Sequence, residues 1–371
     1  MKRIPVYQPS LVGNEKKYVN ECLDSGWISS KGDFVNKFEE VFRKRINVNH
    51  ALTVCNGTVA IHLALEAVGV TSGDEVIVPS LTYVASANAI KYTGAKPVFV
   101  DSLYTTWQMN PDDIERKITP RTKAILVVHL YGYPCDMDRI LQISKKYGLL
   151  VIEDCAEAFG SVYEGRHVGT LGDVGTFSFF GNKTITTGEG GMVVTNDPEI
   201  ANKLERLKAQ GVSSWREYWH DLIGYNYRMT NICAAIGLAQ IESADDVIAR
   251  KVEIADLYQS LLKTLPVKFQ EPTKQLFNSF WMVCFLVDNQ GVRDALRQHL
   301  EGANIETRPV FYPVHSMPIY ENGDTVLPVC EDIGYRGINL PSWPGLEDED
   351  IHRVCGEISK FFSTYGQLLN S

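Results

Sequence analysis

Between residues 51 and 196, short β-branched runs alternate with segments of helical periodicity, and this alternation constrains the fold more than any other feature of the chain. Strands are predicted at 51–54, 75–78, 97–100, 124–128, 150–153, 175–179 and 192–195. Helices are predicted between them at 58–68, 84–92, 112–118 and 136–147. Strands that are apolar almost throughout and separated by helices make a mostly parallel sheet covered on both faces. Ligands of such sheets bind beyond the carboxyl ends of the strands, so residues just past each run are expected to face one crevice. Farther on, the pattern predicts a long helix over 230–263, a strand over 280–287, a helix over 292–302, a strand over 305–310 and a helix over 348–364. The expected division is therefore a large domain over 1–245 and a smaller C-terminal α/β domain over 246–371, hinged inside the long helix near residues 244–254.

Composition removes several classes of function. No apolar run approaches the roughly 18 residues of a membrane span, and the charged start, Met1-Lys2-Arg3, leads into no apolar stretch, so neither a span nor a signal peptide is expected. A formal charge of −9 argues against bulk attraction to nucleic acid or anionic lipid. The eight cysteines include no C-x-x-C pair, which fits small core residues in a reducing cytoplasm. The eight histidines are scattered without an H-E-x-x-H pair, and no metal site is predicted.

Four groups of residues fall at the expected crevice. The run Val151-Ile152-Glu153-Asp154-Cys155-Ala156-Glu157 puts two acids at the end of a buried strand, where they are costly unless something pairs with them. The aromatic run before Gly181-Asn182-Lys183 presents one lysine next to apolar surface and returns through Gly188-Glu189-Gly190-Gly191. Desolvation lowers an amine's pKa and makes it a nucleophile toward a carbonyl. Asn56-Gly57-Thr58 opens a helix, whose free N–H groups can cradle a phosphate, and Ser178 can add a hydroxyl. Tyr83, in Pro79-Ser80-Leu81-Thr82-Tyr83, puts a ring at the mouth of the crevice. Taken singly, each has an ordinary explanation: a turn acid, a surface lysine, a helix cap, a core aromatic. Together they form the set that pyridoxal 5'-phosphate (PLP) requires. The glycine hairpin lacks the third glycine and the following helix of a dinucleotide fingerprint, and Lys183 does not fit a P-loop.

With these residues the chain resembles the sugar-nucleotide aminotransferases of the DegT/DnrJ/EryC1/StrS family. The likeness begins at Gly26-Trp27-Ile28-Ser29-Ser30-Lys31-Gly32 and continues through Glu153-Asp154-Cys155-Ala156-Glu157-Ala158 and Ser178-Phe179-Phe180-Gly181-Asn182-Lys183. It extends over Gly224-Tyr225-Asn226-Tyr227-Arg228-Met229-Thr230 to Arg308-Pro309 and Pro313-Val314-His315. The resemblance implies an α/β, aspartate-aminotransferase-type (fold type I) PLP-dependent transferase, with a large mixed, mostly parallel sheet domain and a smaller C-terminal α/β domain. It implies that Lys183 carries the cofactor as a Schiff base, with pyridoxamine phosphate as the alternate form, and that Asp154 pairs with the pyridine nitrogen. Gly57, Thr58 and Ser178 would hold the phosphate, and Tyr83 would stack on the ring. Asn226 would reach the phosphate of a neighbouring subunit, which implies a homodimer with shared sites. Glu157 stands where many relatives have Gln or His beside the ring hydroxyl, while Arg308 and His315 belong to the sugar-nucleotide side. Relatives that dehydrate a ketosugar have histidine in place of the lysine, so Lys183 favours transamination. The expected partners are a nucleotide-linked 4-keto-6-deoxyhexose and L-glutamate. The alternatives are another keto-deoxysugar on UDP or dTDP and, remotely, a non-catalytic regulator built on the same fold.

Overall fold

The computed structural model describes residues 2–320 and 325–369; the remainder of the expected C-terminal domain lies outside the described residues. Its strands are β1 (His50–Val54), β2 (Glu75–Pro79), β3 (Lys96–Val100), β4 (Thr122–Val128), β5 (Leu150–Asp154), β6 (Val162–Tyr163), β7 (Arg166–His167), β8 (Val174–Ser178), β9 (Gly191–Thr195), β10 (Leu276–Phe277), β11 (Val283–Leu286), β12 (Arg308–Pro309) and β13 (Gly337–Leu340). The main sheet has the order β1-β9-β8-β5-β4-β2-β3. Strand β9 runs antiparallel to both its neighbours, and the other pairings are parallel. The carboxyl ends of β1, β2, β4, β5 and β8 consequently reach one edge, where β9 begins.

Alternation along the central strands explains why both faces are covered. Ile77, Ile125, Val127 and Val151 enter one core, whereas Val76, Val78, Ala124, Leu126 and Ile152 enter the other. Successive side chains of a strand point to opposite faces, so apolar residues at every position need a layer on each side. The smaller sheet, β11-β13-β12, repeats the arrangement: Val283 and Phe285 join a third core, while Cys284 and Leu286 face the main body. Ile254, Tyr258 and Leu262, with Ile4 from the opposite end of the chain, complete this third core.

The predicted helix over 230–263 is instead two, Asn231–Glu242 and Ala244–Leu262, which meet at Ser243 (φ −103°, ψ 9°). The first is capped by Thr230, whose hydroxyl accepts from Cys233 N–H, and it buries most of its circumference. The second is amphipathic, with four charged residues in its first nine. The strand predicted over 280–287 begins only at Val283, because Phe280 turns to φ 49°. That over 305–310 shrinks to Arg308–Pro309, where Pro309 has no N–H to extend the ladder.

Two N-terminal helices, Glu15–Ser25 and Asp33–Ile46, had no counterpart in the sequence reading. The second carries Phe34, Phe38, Phe42 and Ile46 four residues apart, one stripe of a helix surface. Phe42 meets the rings of Phe38, Phe159, Phe177 and Phe179 at 5.1–6.1 Å, fixing the helix over β8. Phe42→Ala should therefore reduce the unfolding free energy by about 3–5 kcal/mol. Urea unfolding checks this, the midpoint falling at nearly unchanged slope.

Candidate active site

Two neighbouring acids close β5, and they meet opposite environments. The Glu153 carboxylate is fully buried and accepts from Gly169 N–H (2.8 Å), Leu171 N–H (2.8 Å) and Gly172 N–H (2.7 Å). His129 Nε2 stands 3.0 Å from the same carboxylate, while its Nδ1 accepts from Cys135 N–H (3.0 Å). Cys135 therefore assigns the imidazole proton to Nε2, which donates to Glu153. Burial pushes the Glu153 carboxyl up, but the His129 bond and the glycine N–H groups outweigh it and hold the group below its usual range. Every strong acceptor position of Glu153 is thus spent on the scaffold.

Asp154 points the other way. Its Oδ2 accepts from Ser86 Oγ (2.8 Å) and its Oδ1 from Ala156 N–H (3.1 Å), and no cation lies within ion-pair distance of it among the described residues. Burial raises its pKa, against the pull of those two donors and of Lys183. A buried carboxylate left in this condition is stabilised by any cationic N–H brought to it.

Lys183 follows the end of β8, and its side chain is 14% exposed. Its Nζ lies 3.7 Å from Glu157 Oε1 and 4.0 Å from the centroid of the Trp281 ring. Burial lowers the amine's pKa, although Glu157 and Asp154 oppose the shift. Burial also raises Glu157 to about 7, partly countered by Lys183 and by the Tyr131 N–H that its Oε2 accepts at 3.0 Å. Beside the lysine runs an aromatic wall. Trp281 stacks on Tyr131 (5.9 Å, 10°), Tyr131 on Phe311 (5.4 Å, 14°), and Phe311 meets the half-exposed Tyr83 at 5.6 Å.

A cradle forms where β1 passes into the helix Gly57–Ala67. Asn56 caps it by accepting from Val59 N–H (3.0 Å), which leaves the first N–H groups of the turn directed outward. Ser178 closes against this turn so tightly that a Cβ on Gly57 would lie 2.6 Å from the Ser178 Cβ. Only glycine allows that approach. The anion-binding turn, the uncompensated carboxylate and the partly desolvated amine therefore occupy one edge of one sheet. They fit a flat group with a phosphate at one end and a basic ring nitrogen at another.

A model of the DegT/DnrJ/EryC1/StrS aminotransferase family matches residues 9–359. The chain belongs to that family. It is 61% identical to GDP-perosamine synthase of Escherichia coli O157:H7, over 98% of this chain and 100% of that one. It is 50% identical to GDP-perosamine synthase of Vibrio cholerae, over 97% and 99%. Spr1654 of Streptococcus pneumoniae has been solved in a PLP form and a PMP form. The first matches with a TM-score of 0.92 at 28% identity over 99% of each chain, the second with 0.95 at 27% over 100% of each. The expected family and fold class are borne out, and the enzyme is an aminotransferase whose family depends on PLP.

Not every sequence-predicted residue joins this cluster. Lys183, Asp154, Glu157, Gly57, Thr58 and Ser178 line the same edge, and Tyr83 extends the aromatic wall. Asn226 is exposed beside a projecting segment and accepts from Arg228 (3.2 Å). Arg308 is exposed and paired with Glu306 (2.5 Å). His315 is buried, with Nδ1 2.6 Å from Ser80 Oγ and Nε2 3.1 Å from Glu331, so both ring nitrogens are engaged within the chain. The sequence reading missed Ser86, His129, Tyr131 and Trp281. His129 follows the end of β4 just as Cys155 follows β5, so the strand-end rule contained a signal for it; Trp281 looked like one more residue of a strand.

The pH dependence of the Glu157 environment gives a direct check. A carboxyl of ordinary pKa 4.5 raised to about 7 binds more protons folded than unfolded between those values. Its contribution makes the cofactor-free protein lose stability as pH rises from 4.5 toward 7. Glu157→Gln should flatten that part of the profile, as read from urea midpoints across the window.

Proposed function

We propose that this chain is a GDP-perosamine synthase, converting GDP-4-keto-6-deoxy-D-mannose and L-glutamate into GDP-perosamine (GDP-4-amino-4,6-dideoxy-D-mannose) and 2-oxoglutarate. The observation that carries the chemistry is the buried Lys183 amine beside Glu157, on the same sheet edge as a buried Asp154 that no cation of the described residues approaches within ion-pair distance. The full-length identity to two synthases of that name supports the substrate.

Bound PLP supplies an aldehyde for amine exchange and a protonated ring that withdraws electrons from the reacting carbon. The Asp154 carboxylate would hold the pyridine N–H, and Ser86 keeps that carboxylate aimed. Gly57, Thr58 and Ser178 would hold the phosphate, while Tyr83 would cover the ring. Lys183 Nζ would take the Cα proton of L-glutamate and, in the second half-reaction, would deliver a proton to C4 of the sugar. Glu157, 3.7 Å away, lies in reach to exchange charge with that amine as it gains and loses its proton. Arg308 and His315 are assigned to the nucleotide-sugar side, His315 as a buried support whose bonds to Ser80 and Glu331 hold the segment after Phe311.

The active unit is read as a homodimer. Trp215, Tyr218 and Ile223 stand 68%, 94% and 87% exposed on a projecting segment next to Asn226, an apolar face that a second copy would cover. In that arrangement Asn226 completes the neighbour's phosphate cradle. Use of the product in O-antigen and lipopolysaccharide synthesis, and a cytoplasmic location, follow from the same reading. Free cysteines suit that compartment, and no helix of the described residues is long and apolar enough to cross a membrane.

Incubation with L-glutamate and a panel of nucleotide-linked 4-keto-6-deoxyhexoses tests the substrate: 2-oxoglutarate and a 4-amino product should form fastest from the GDP-mannose-derived ketone, and preference for a UDP- or dTDP-sugar overturns it. Lys183→Ala should abolish turnover and leave no borohydride-reducible adduct on its peptide. Asp154→Asn should lower kcat by about 100-fold or more, the scale of a lost electrostatic contact at the reacting centre. Neither Lys183→Ala nor Asn226→Ala subunits alone should be active, but mixed dimers should regain activity, since one of their two sites has both residues.

A further inference from the structure

Lys251 is a buried amine that the mechanism above does not use. It sits on the helix Ala244–Leu262 and is 4% exposed. Among the described residues no carboxylate pairs with it. Its Nζ donates instead to two backbone carbonyls, Trp281 O at 3.0 Å and Ser342 O at 2.7 Å. Burial brings this amine down to about 7. Two backbone carbonyls thus receive its N–H groups where a counter-ion would otherwise stand.

These carbonyls belong to the segments that hold the aromatic wall. Ser342 follows β13, and its Oγ accepts from Val283 N–H (2.9 Å) at the start of β11. Trp281 stands just before β11, after Phe280 at φ 49°, a backbone conformation that side chains rarely adopt. From there the Trp281 indole N–H reaches Asn182 O at 2.7 Å, and its ring face lies 4.0 Å from Lys183 Nζ. The side chain of Trp281 therefore touches the active lysine and its neighbour, while the backbone of the same residue is tied to Lys251.

We propose that Lys251 is a positioning residue for the Lys183 amine, acting through Trp281 by pinning its backbone to the helix Ala244–Leu262. The inference rests on Lys183 being the cofactor-bearing lysine and extends that reading to a residue outside the site. Lys251 sets how the indole seats the amine through its bond to the Trp281 carbonyl.

The test is a double-mutant cycle on the full chain, stripped of cofactor and resupplied with PLP. The readouts are the rate at which the visible absorbance of lysine-bound cofactor returns, the borohydride-labelled peptide, and the melting temperature. Lys251→Met keeps the volume but removes both donors. It should slow reconstitution by about 10-fold or more, in keeping with the sensitivity of reactions to small misplacements of a reacting group. In a Trp281→Ala background the same change should produce no further slowing, because the ring it positions is gone, whereas its effect on melting temperature should persist. Should Lys251→Met fail to fold, Lys251→Gln, too short to span both carbonyls, replaces it. Reconstitution of the Met or Gln variant at the wild-type rate overturns the proposal, as does slowing that adds in full to that of Trp281→Ala. If the label in the wild type falls on a lysine other than Lys183, the functional reading fails and the proposal with it; labelled Lys183 with an unaffected variant rate overturns the proposal alone.

Discussion

The site depends on an imbalance of charge at the end of β5. Glu153 and Asp154 are adjacent carboxylates, and the pleat of the strand sends them to opposite sides. Glu153 has three backbone N–H groups and the His129 ring, so it binds the loop after β7 to the sheet. Asp154 receives two donors and, among the described residues, no cation within ion-pair distance. Folding alone leaves its charge poorly compensated in a dry place, a condition that a cationic group brought there would relieve. An arrangement of this kind trades stability of the empty protein for affinity toward a cationic ring, because the electrostatic interaction is strongest where water is excluded.

The amine opposite is treated in a related way. Lys183 is desolvated by the aromatic layer, yet it keeps one acid within 4 Å, so its proton can move without a large change in the charge of the pocket. Glu157 and Lys183 shift toward each other, the acid up and the amine down, both driven by burial. Trp281, Tyr131 and Phe311 exclude water from one side, and their stacking passes the position of the second, smaller sheet on to the site. The two sheets are thus joined through the active centre as well as through the helix Ala244–Leu262.

Local patterns carried the strand alternation because a strand buried on both faces must be apolar at every position, whatever surrounds it. They also carried Asp154, Lys183 and the Asn56-Gly57-Thr58 turn, whose residue types are restricted by chemistry at strand ends. The break at Ser243 was not legible, since both halves are good helix formers and no glycine or proline marks the join. The helix Asp33–Ile46 carries a legible four-residue stripe, although it lies before the strand alternation begins. Trp281 and His315 were opaque or only half legible for a different reason: what each does depends on partners about 100 and 235 residues away in sequence.

By itself the amino-acid sequence determined the layered sheet and the chemical inventory, because periodicity and residue type are local properties of a chain. Only the tertiary structure decided which acid lacks a partner cation, which aromatic ring meets the lysine and that both ring nitrogens of His129 and of His315 are engaged. Those outcomes follow from distances between segments remote in sequence, and burial, which sets the strength of every charge here, exists only once the layers have closed.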